Sequence, residues 1–216
     1  MTKEFAIILS GCGVYDGAEI HETVATMIAL KKNGAEYQCF APNRPQYHVV
    51  NHLTGGVAVG EGRNILEESA RLARGKIKEI AEYHPKDFDG LIFPGGFGVA
   101  KNLCNYAIKG ADCELFSDVI KAIQDTVDAK KPIGAECITP AMMAAFLKGT
   151  TVTIGSDKET ANNIQKMGGH HIETKHDGVV YDPKYNLYTT PCYMLGTNVL
   201  EIYESAEALV KALVAE

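Results

Sequence analysis

Lys130-Lys131-Pro132-Ile133-Gly134-Ala135-Glu136-Cys137-Ile138-Thr139-Pro140-Ala141-Met142-Met143 is the stretch whose reading decides the fold. Ile133 to Glu136 is short and mostly apolar, as a buried parallel strand should be. Thr139-Pro140 reads as a helix cap followed by proline at the first helical position, and Ala141 to Leu147 continues as helix. Cys137 therefore falls at a strand-to-helix turn. Backbone N–H groups and the positive helix end converge there, and both favour thiolate over thiol. The arrangement has the logic of a nucleophile elbow with cysteine in place of serine. The competing reading is a small, inert, buried cysteine.

Working outward, the same alternation repeats. Phe5 to Leu9 is an apolar first strand, followed by the glycine-rich Ser10 to Gly17. That loop lacks the Lys-Ser/Thr pair and the glycine spacing of phosphate-binding loops. Glu19 to Asn33 reads as a helix on the spacing of Val24, Ile28 and Lys31 or Lys32, ended by Asn33-Gly34. Tyr37 to Ala41 is a second strand. Asn43 to Gly62 is loop-like and carries His48 and His52, with Val49, Val50 and Leu53 reading as a short buried element rather than a metal site. Asn64 to Arg74 is an amphipathic helix, and Ile77 to Ile80 a short strand. Leu91 to Phe93 is a third apolar strand, followed by Pro94-Gly95-Gly96-Phe97-Gly98, whose glycines free backbone N–H groups at a tight turn. Glu114 to Ala129 carries one apolar stripe through Leu115, Val119, Ile120, Ile123 and Val127. Thr151 to Ile154 reads as a strand, Glu159 to Met167 as a helix, Val179 to Thr190 as a hairpin and Asn198 to Val214 as a closing helix.

Strands alternating with helices mean an α/β fold around a mostly parallel central sheet, with the site at the strands' carboxyl ends. The reading is of a single domain over residues 1–216, a flavodoxin-like three-layer sandwich with a small β-hairpin. The formal net charge of -6 argues against nucleic acid or an anionic membrane as partner. The six cysteines show no ligand spacing and no disulfide framework, so neither metal nor cofactor is expected. Met1 to Phe5 lacks the long apolar run of a secretory signal, and a reducing cytoplasm is the expected compartment.

The combination is specific. Ile8 to Glu22, Asn51 to Gly55, Pro94 to Leu103 and the Cys137 elbow together resemble the ElbB family of the PfpI/ThiJ superfamily, on the fold of class I glutamine amidotransferases, from about Phe5 to Met194. The resemblance implies an elbow nucleophile at Cys137 and a glutamate in contact with it at Glu22. It implies oxyanion-hole amides at Gly96 and Ile138, and substrate contacts at Gly95, Gly13 and Asn102. It also implies a homodimer, a small-molecule aldehyde substrate and a link to isoprenoid metabolism. Two departures stand out. Many such proteins have a histidine after the next strand, where this chain has Gly155-Ser156-Asp157-Lys158-Glu159. Glu136 is an added carboxyl, which strand alternation turns away from the sulfur.

Two functions follow as expectations. One is a cofactor-independent glyoxalase-like lyase that converts glyoxal or methylglyoxal to hydroxy acids through the Cys137 thiolate. The other is a redox-sensing or regulatory protein that uses the same reactive cysteine.

Overall fold

Residues Phe5, Ile7 and Leu9 face one apolar layer, while Ala6 and Ile8 face another. That period-two split of an all-apolar strand is what a sheet covered on both sides requires. The computed structural model describes Thr2–Glu216. In chain order its elements are β1 (Glu4–Ile8), α1 (Ile20–Lys32), β2 (Glu36–Ala41), β3 (Val50–Asn51), β4 (Gly56–Val57), α2 (Ile65–Leu72), β5 (Ile77–Glu79) and β6 (Gly90–Phe93). A π-helical turn at Val99–Leu103 precedes α3 (Tyr106–Lys109), α4 (Ser117–Asp128), β7 (Ile133–Glu136) and α5 (Thr139–Phe146). Then follow β8 (Thr151–Val152), α6 (Lys158–Lys166), β9 (His170–His171), β10 (Val180–Asp182), β11 (Leu187–Thr190) and α7 (Val199–Ala215).

The main sheet has seven strands in the order β10-β11-β7-β6-β1-β2-β5. All its pairings are parallel except β10 with β11, which form the expected hairpin. Helices α1, α2 and α7 cover one face, where Met27, Leu30, Ile65, Leu209 and Leu213 pack on Phe5, Ile7 and Ile92. Helices α4, α5 and α6 cover the other, where Val119, Ile123, Met143 and Ile164 pack on Ile8, Leu91 and Phe93. Gly134 of β7 is required by this packing, because a Cβ there would lie 2.8 Å from Leu213 Cδ1.

Four local expectations are corrected. Val24 and Ile28 face solvent, and α1 instead buries Thr23, Thr26, Met27 and Leu30. Leu53 sits exposed between β3 and β4, while Val49 and Val50 are buried. Helix α4 begins at Ser117 rather than Glu114. The Asn105 N–H bonds to the Glu114 carbonyl and the Phe116 N–H to the Leu103 carbonyl, which holds Glu114 to Phe116 extended. Strand β8 lies outside the main sheet and pairs only with β9. Its Thr151 N–H goes to the Asp182 carboxylate, and the adjacent Thr153 N–H goes to the Thr189 hydroxyl. No helix among the described residues is long and apolar enough to cross a membrane.

The loops that carry the site are fixed by Asn102, which is 2 % exposed. Its Nδ2 donates to the carbonyls of Ser10 at 2.8 Å and Asp16 at 2.9 Å, and its Oδ1 accepts the Tyr47 N–H at 2.9 Å. Asn102→Ala leaves three backbone groups unpaired. The expected loss is about 2–4 kcal/mol of unfolding free energy in urea, and a loss under about 0.5 kcal/mol would show the clasp to be dispensable.

Candidate functional site

Two glycine loops are stitched together at the carboxyl ends of β1 and β6. Glu19 N–H donates to the Gly95 carbonyl at 2.9 Å, Phe97 N–H to Val14 at 2.8 Å and Gly98 N–H to Gly17 at 2.9 Å. The chains approach so closely that a Cβ on Gly96 would lie 2.5 Å from the Glu19 nitrogen, and Gly96 holds φ +98°. Gly96 therefore tolerates no side chain. The N–H groups of Gly11, Gly13 and Gly17 are consumed inside the protein by Ser69 Oγ, Ala18 and Gly13. Those three amides are therefore not free to cradle a phosphate.

Cys137 follows β7 with φ +60°, a strained conformation for a residue with a side chain. The turn is pinned by the Cys137 N–H on the Thr190 carbonyl at 3.0 Å. The backbone amides of Gly96 and Ile138 lie close enough to the sulfur to favour its ionisation, and the Glu22 carboxyl lies beside it, both groups bordering Gly95. Glu22 is fully buried at the start of α1. Its Oε2 accepts the Gly95 N–H at 3.0 Å and its Oε1 the Tyr193 N–H at 3.3 Å. The helix start is one residue earlier than the sequence reading: Thr139 is already helical, and its hydroxyl donates to the Pro94 carbonyl at 3.1 Å instead of capping.

Electrostatics correct a further expectation. The helix end alone would lower the thiol pKa, but burial and the Glu22 charge push Cys137 up, against the pull of the two amides. Glu22 is pushed up to about 8 by burial and by Glu19, so its carboxyl holds a proton at neutral pH. With Glu22 neutral, the Coulombic part of the Cys137 shift falls away, leaving burial opposed by two donors. Glu136 turns into the α1–α7 layer, as alternation required. There its Oε1 lies 2.8 Å from the Thr26 hydroxyl, and burial with the nearby Glu22 charge raises it too.

The sulfur opens onto a cavity of about 600 Å³. Gly96 and Ile138 line it. Gly95, Gly13 and Asn102, expected to touch substrate, are not among the residues that line this cavity. Asn102 is buried with its amide fully engaged, Gly13 packs against the His52 ring, and Gly95 lies behind the sulfur, where a Cβ would be 2.3 Å from that of Cys137. The sequence reading missed Tyr193, Tyr106 and Asn163 in the lining. Tyr193 has a signal in hindsight, since Pro191-Cys192-Tyr193 follows the sheet strand adjacent to β7. Among the described residues no histidine lines the cavity, and no group of three His, Cys, Asp or Glu could hold a metal. The His21 Nδ1 meets the Tyr193 hydroxyl at 2.7 Å, on the outer side of α1.

No family model matches the chain. It is 42% identical over 215 residues to the human mitochondrial glutamine amidotransferase-like class 1 domain-containing protein 3, covering 95% of this chain and 80% of that one. A solved isoprenoid biosynthesis protein with an amidotransferase-like domain, from Ehrlichia chaffeensis, superposes with TM-score 0.90 at 37% identity, covering 98% of this chain and 99% of that one. A DJ-1 superfamily protein of Salmonella typhimurium shares the fold with TM-score 0.61 at 19% identity, covering 100% of this chain and 92% of that one. The expected cytoplasmic compartment is overturned by these relatives, since the human protein and the ES1 proteins of rat and zebrafish are mitochondrial.

The raised Glu22 pKa has a consequence for stability. A carboxyl that holds its proton more tightly when folded contributes stability below its unfolded pKa of about 4.3. That contribution is lost as pH rises toward the folded value of about 8. Between pH 5 and pH 8 the wild type should lose more unfolding free energy than Glu22→Gln, by more than about 1 kcal/mol in urea titrations. Parallel losses in both proteins would mean that Glu22 is ionised throughout.

Proposed function

Because the chain belongs to the ElbB/ES1 family of glutamine amidotransferase-like proteins, within the DJ-1/PfpI superfamily, we propose that it is a glyoxalase-like enzyme acting on small 2-oxoaldehydes. The observation that supports this reading is the contact between a protonated carboxyl and a thiol, with two backbone amides aimed at the same sulfur. In the proposed route the Cys137 thiol releases its proton to solvent as the sulfur adds to the aldehyde carbon and Glu22 protonates the oxygen, giving a hemithioacetal; Glu22 regains a proton from solvent at the end of the cycle. Glu22, now ionised, takes the hydrogen of that carbon as a proton and returns it to the neighbouring carbonyl carbon. The products of this shift are a thioester and a hydroxyl-bearing carbon. Gly96 and Ile138 amides hold the oxygen while it is negative. Water then displaces the sulfur, releasing the 2-hydroxy acid and regenerating the thiol. The sum is aldehyde plus one water, with no oxidant or reductant and no cofactor.

The alternative reading, a redox-sensing thiol, predicts no turnover and is separated by the same experiment. Glyoxal turnover should disappear in Cys137→Ser. In Glu22→Gln it should fall about 10²–10⁴-fold while iodoacetamide still alkylates Cys137. A wild-type rate at background, with Cys137 oxidised by dilute peroxide, would favour the redox reading. A rate unaffected by Glu22→Gln would remove Glu22 from the mechanism.

A further inference from the structure

Glyoxal is a two-carbon molecule, and the cavity above Cys137 is about 600 Å³. That volume lies within the range of roughly 300–1,000 Å³ that encloses drug-sized ligands. The walls divide into two parts. The apolar side chains of the lining are Val14, Phe97, Ala100, Ile138 and Met194. The polar ones are Tyr106, Tyr193, Asp157, Glu159, Thr160 and Asn163, four of them from α6 and its cap.

The polar wall is one-signed. Asp157 and Glu159 are its charged members, and no Lys, Arg or His lines the cavity among the described residues. Lys158, between them in sequence, is exposed and outside the lining. Lys101 packs its Nζ 5.3 Å from the centroid of the Phe97 ring, tied to the Tyr15 carbonyl and outside the lining. The amino end of α6 would otherwise offer an anion its positive dipole. Asp157 already occupies that end, with its Oδ1 accepting the Thr160 N–H at 2.8 Å. The Tyr106 hydroxyl is likewise engaged by Asn163 Nδ2 at 3.1 Å. A carboxylate or phosphate placed here would lose hydration and meet two like charges without a counter-charge.

We propose that the site takes a 2-oxoaldehyde bearing an apolar body about the size of an aromatic ring and an uncharged or cationic far end, and that it rejects carboxylates and phosphates. The proposal rests on the glyoxalase reading for the reacting group. Its size and charge rest on the cavity alone.

The test keeps the two separable. Wild-type protein is treated with trimethylammonium-ethyl methanethiosulfonate and, separately, with the sulfonate-ethyl reagent. Modification of the Cys137 peptide is followed by mass spectrometry, and both rates are normalised to 2-mercaptoethanol. The cationic reagent should be faster by about tenfold at low ionic strength, given two like charges on the cavity lining. In Asp157→Asn/Glu159→Gln, where asparagine keeps the helix cap, the ratio should fall by at least about threefold. A ratio near one, a ratio unmoved by the double substitution, or failure of both reagents to reach Cys137 would overturn the proposal. In turnover, kcat/KM should be higher for phenylglyoxal than for glyoxal, and the reverse order would overturn the apolar-body half. Should the charge ratio behave as expected while neither aldehyde is consumed, the cavity assignment stands and the glyoxalase reading alone falls.

Discussion

One dehydrated space is shared by the Glu22 carboxyl and the Cys137 thiol, and it cannot cheaply hold two negative charges. Everything around that contact serves to keep the two groups together and to decide where the charge goes. Burial at the start of α1, with Glu19 close by, keeps the proton on Glu22 at neutral pH. The amides of Gly96 and Ile138 favour charge on sulfur, so that the pair is arranged as an acid beside a nucleophile. The same burial that restrains ionisation of the thiol also strengthens each hydrogen bond made to it once the charge is there.

The glycine loops follow from this constraint. Two strand ends must come within backbone contact so that Gly95 reaches Glu22 while the next amide reaches the sulfur. Only residues without a Cβ allow it at Gly95 and Gly96, and the strain is held by the stitching bonds and by the Asn102 clasp. Asn102 is thus a residue of the site by position and a residue of the scaffold by physics. Its amide is spent on Ser10, Asp16 and Tyr47 and has nothing left for a ligand.

Glu136 shows how the two helical layers divide the work. Its neighbours in β7, Ile133 and Ala135, face the α4–α6 layer. Glu136 itself meets Thr26 of α1: the Thr26 hydroxyl donates its one proton to the Glu22 carbonyl at 2.9 Å and is free to accept from a protonated Glu136 Oε1 at 2.8 Å. The second Glu136 oxygen has no hydrogen-bond partner in the buried interior, which is tolerable for a neutral carboxyl and costly for a charged one. The α1–α7 side therefore carries the buried acids, and the α4–α6 side carries the cavity wall.

The sequence by itself determined the alternation of strands and helices, the parallel sheet, the elbow at Cys137 and the two glycine turns that meet it. Each depends on local pattern: apolar runs of strand length, helical spacing, and glycine where the backbone must turn. It also carried the family resemblance, and with it Glu22. Only the tertiary structure decided the rest. Val24 and Ile28 have core-like spacing yet face solvent, because α7 and the sheet bury the Thr23–Thr26–Leu30 side of α1 instead. Thr151 and Val152 have strand composition yet miss the main sheet, because the Asp182 and Thr189 side chains take N–H groups that a ladder would need. Beyond the glycine loops and the elbow, the cavity lining comes from α3, α6 and the segment after β11, which no local pattern ties to Cys137. The direction of the Cys137 shift was likewise beyond the sequence. A helix end lowers a thiol pKa by a local field, but burial and a carboxyl from more than a hundred residues away act through space.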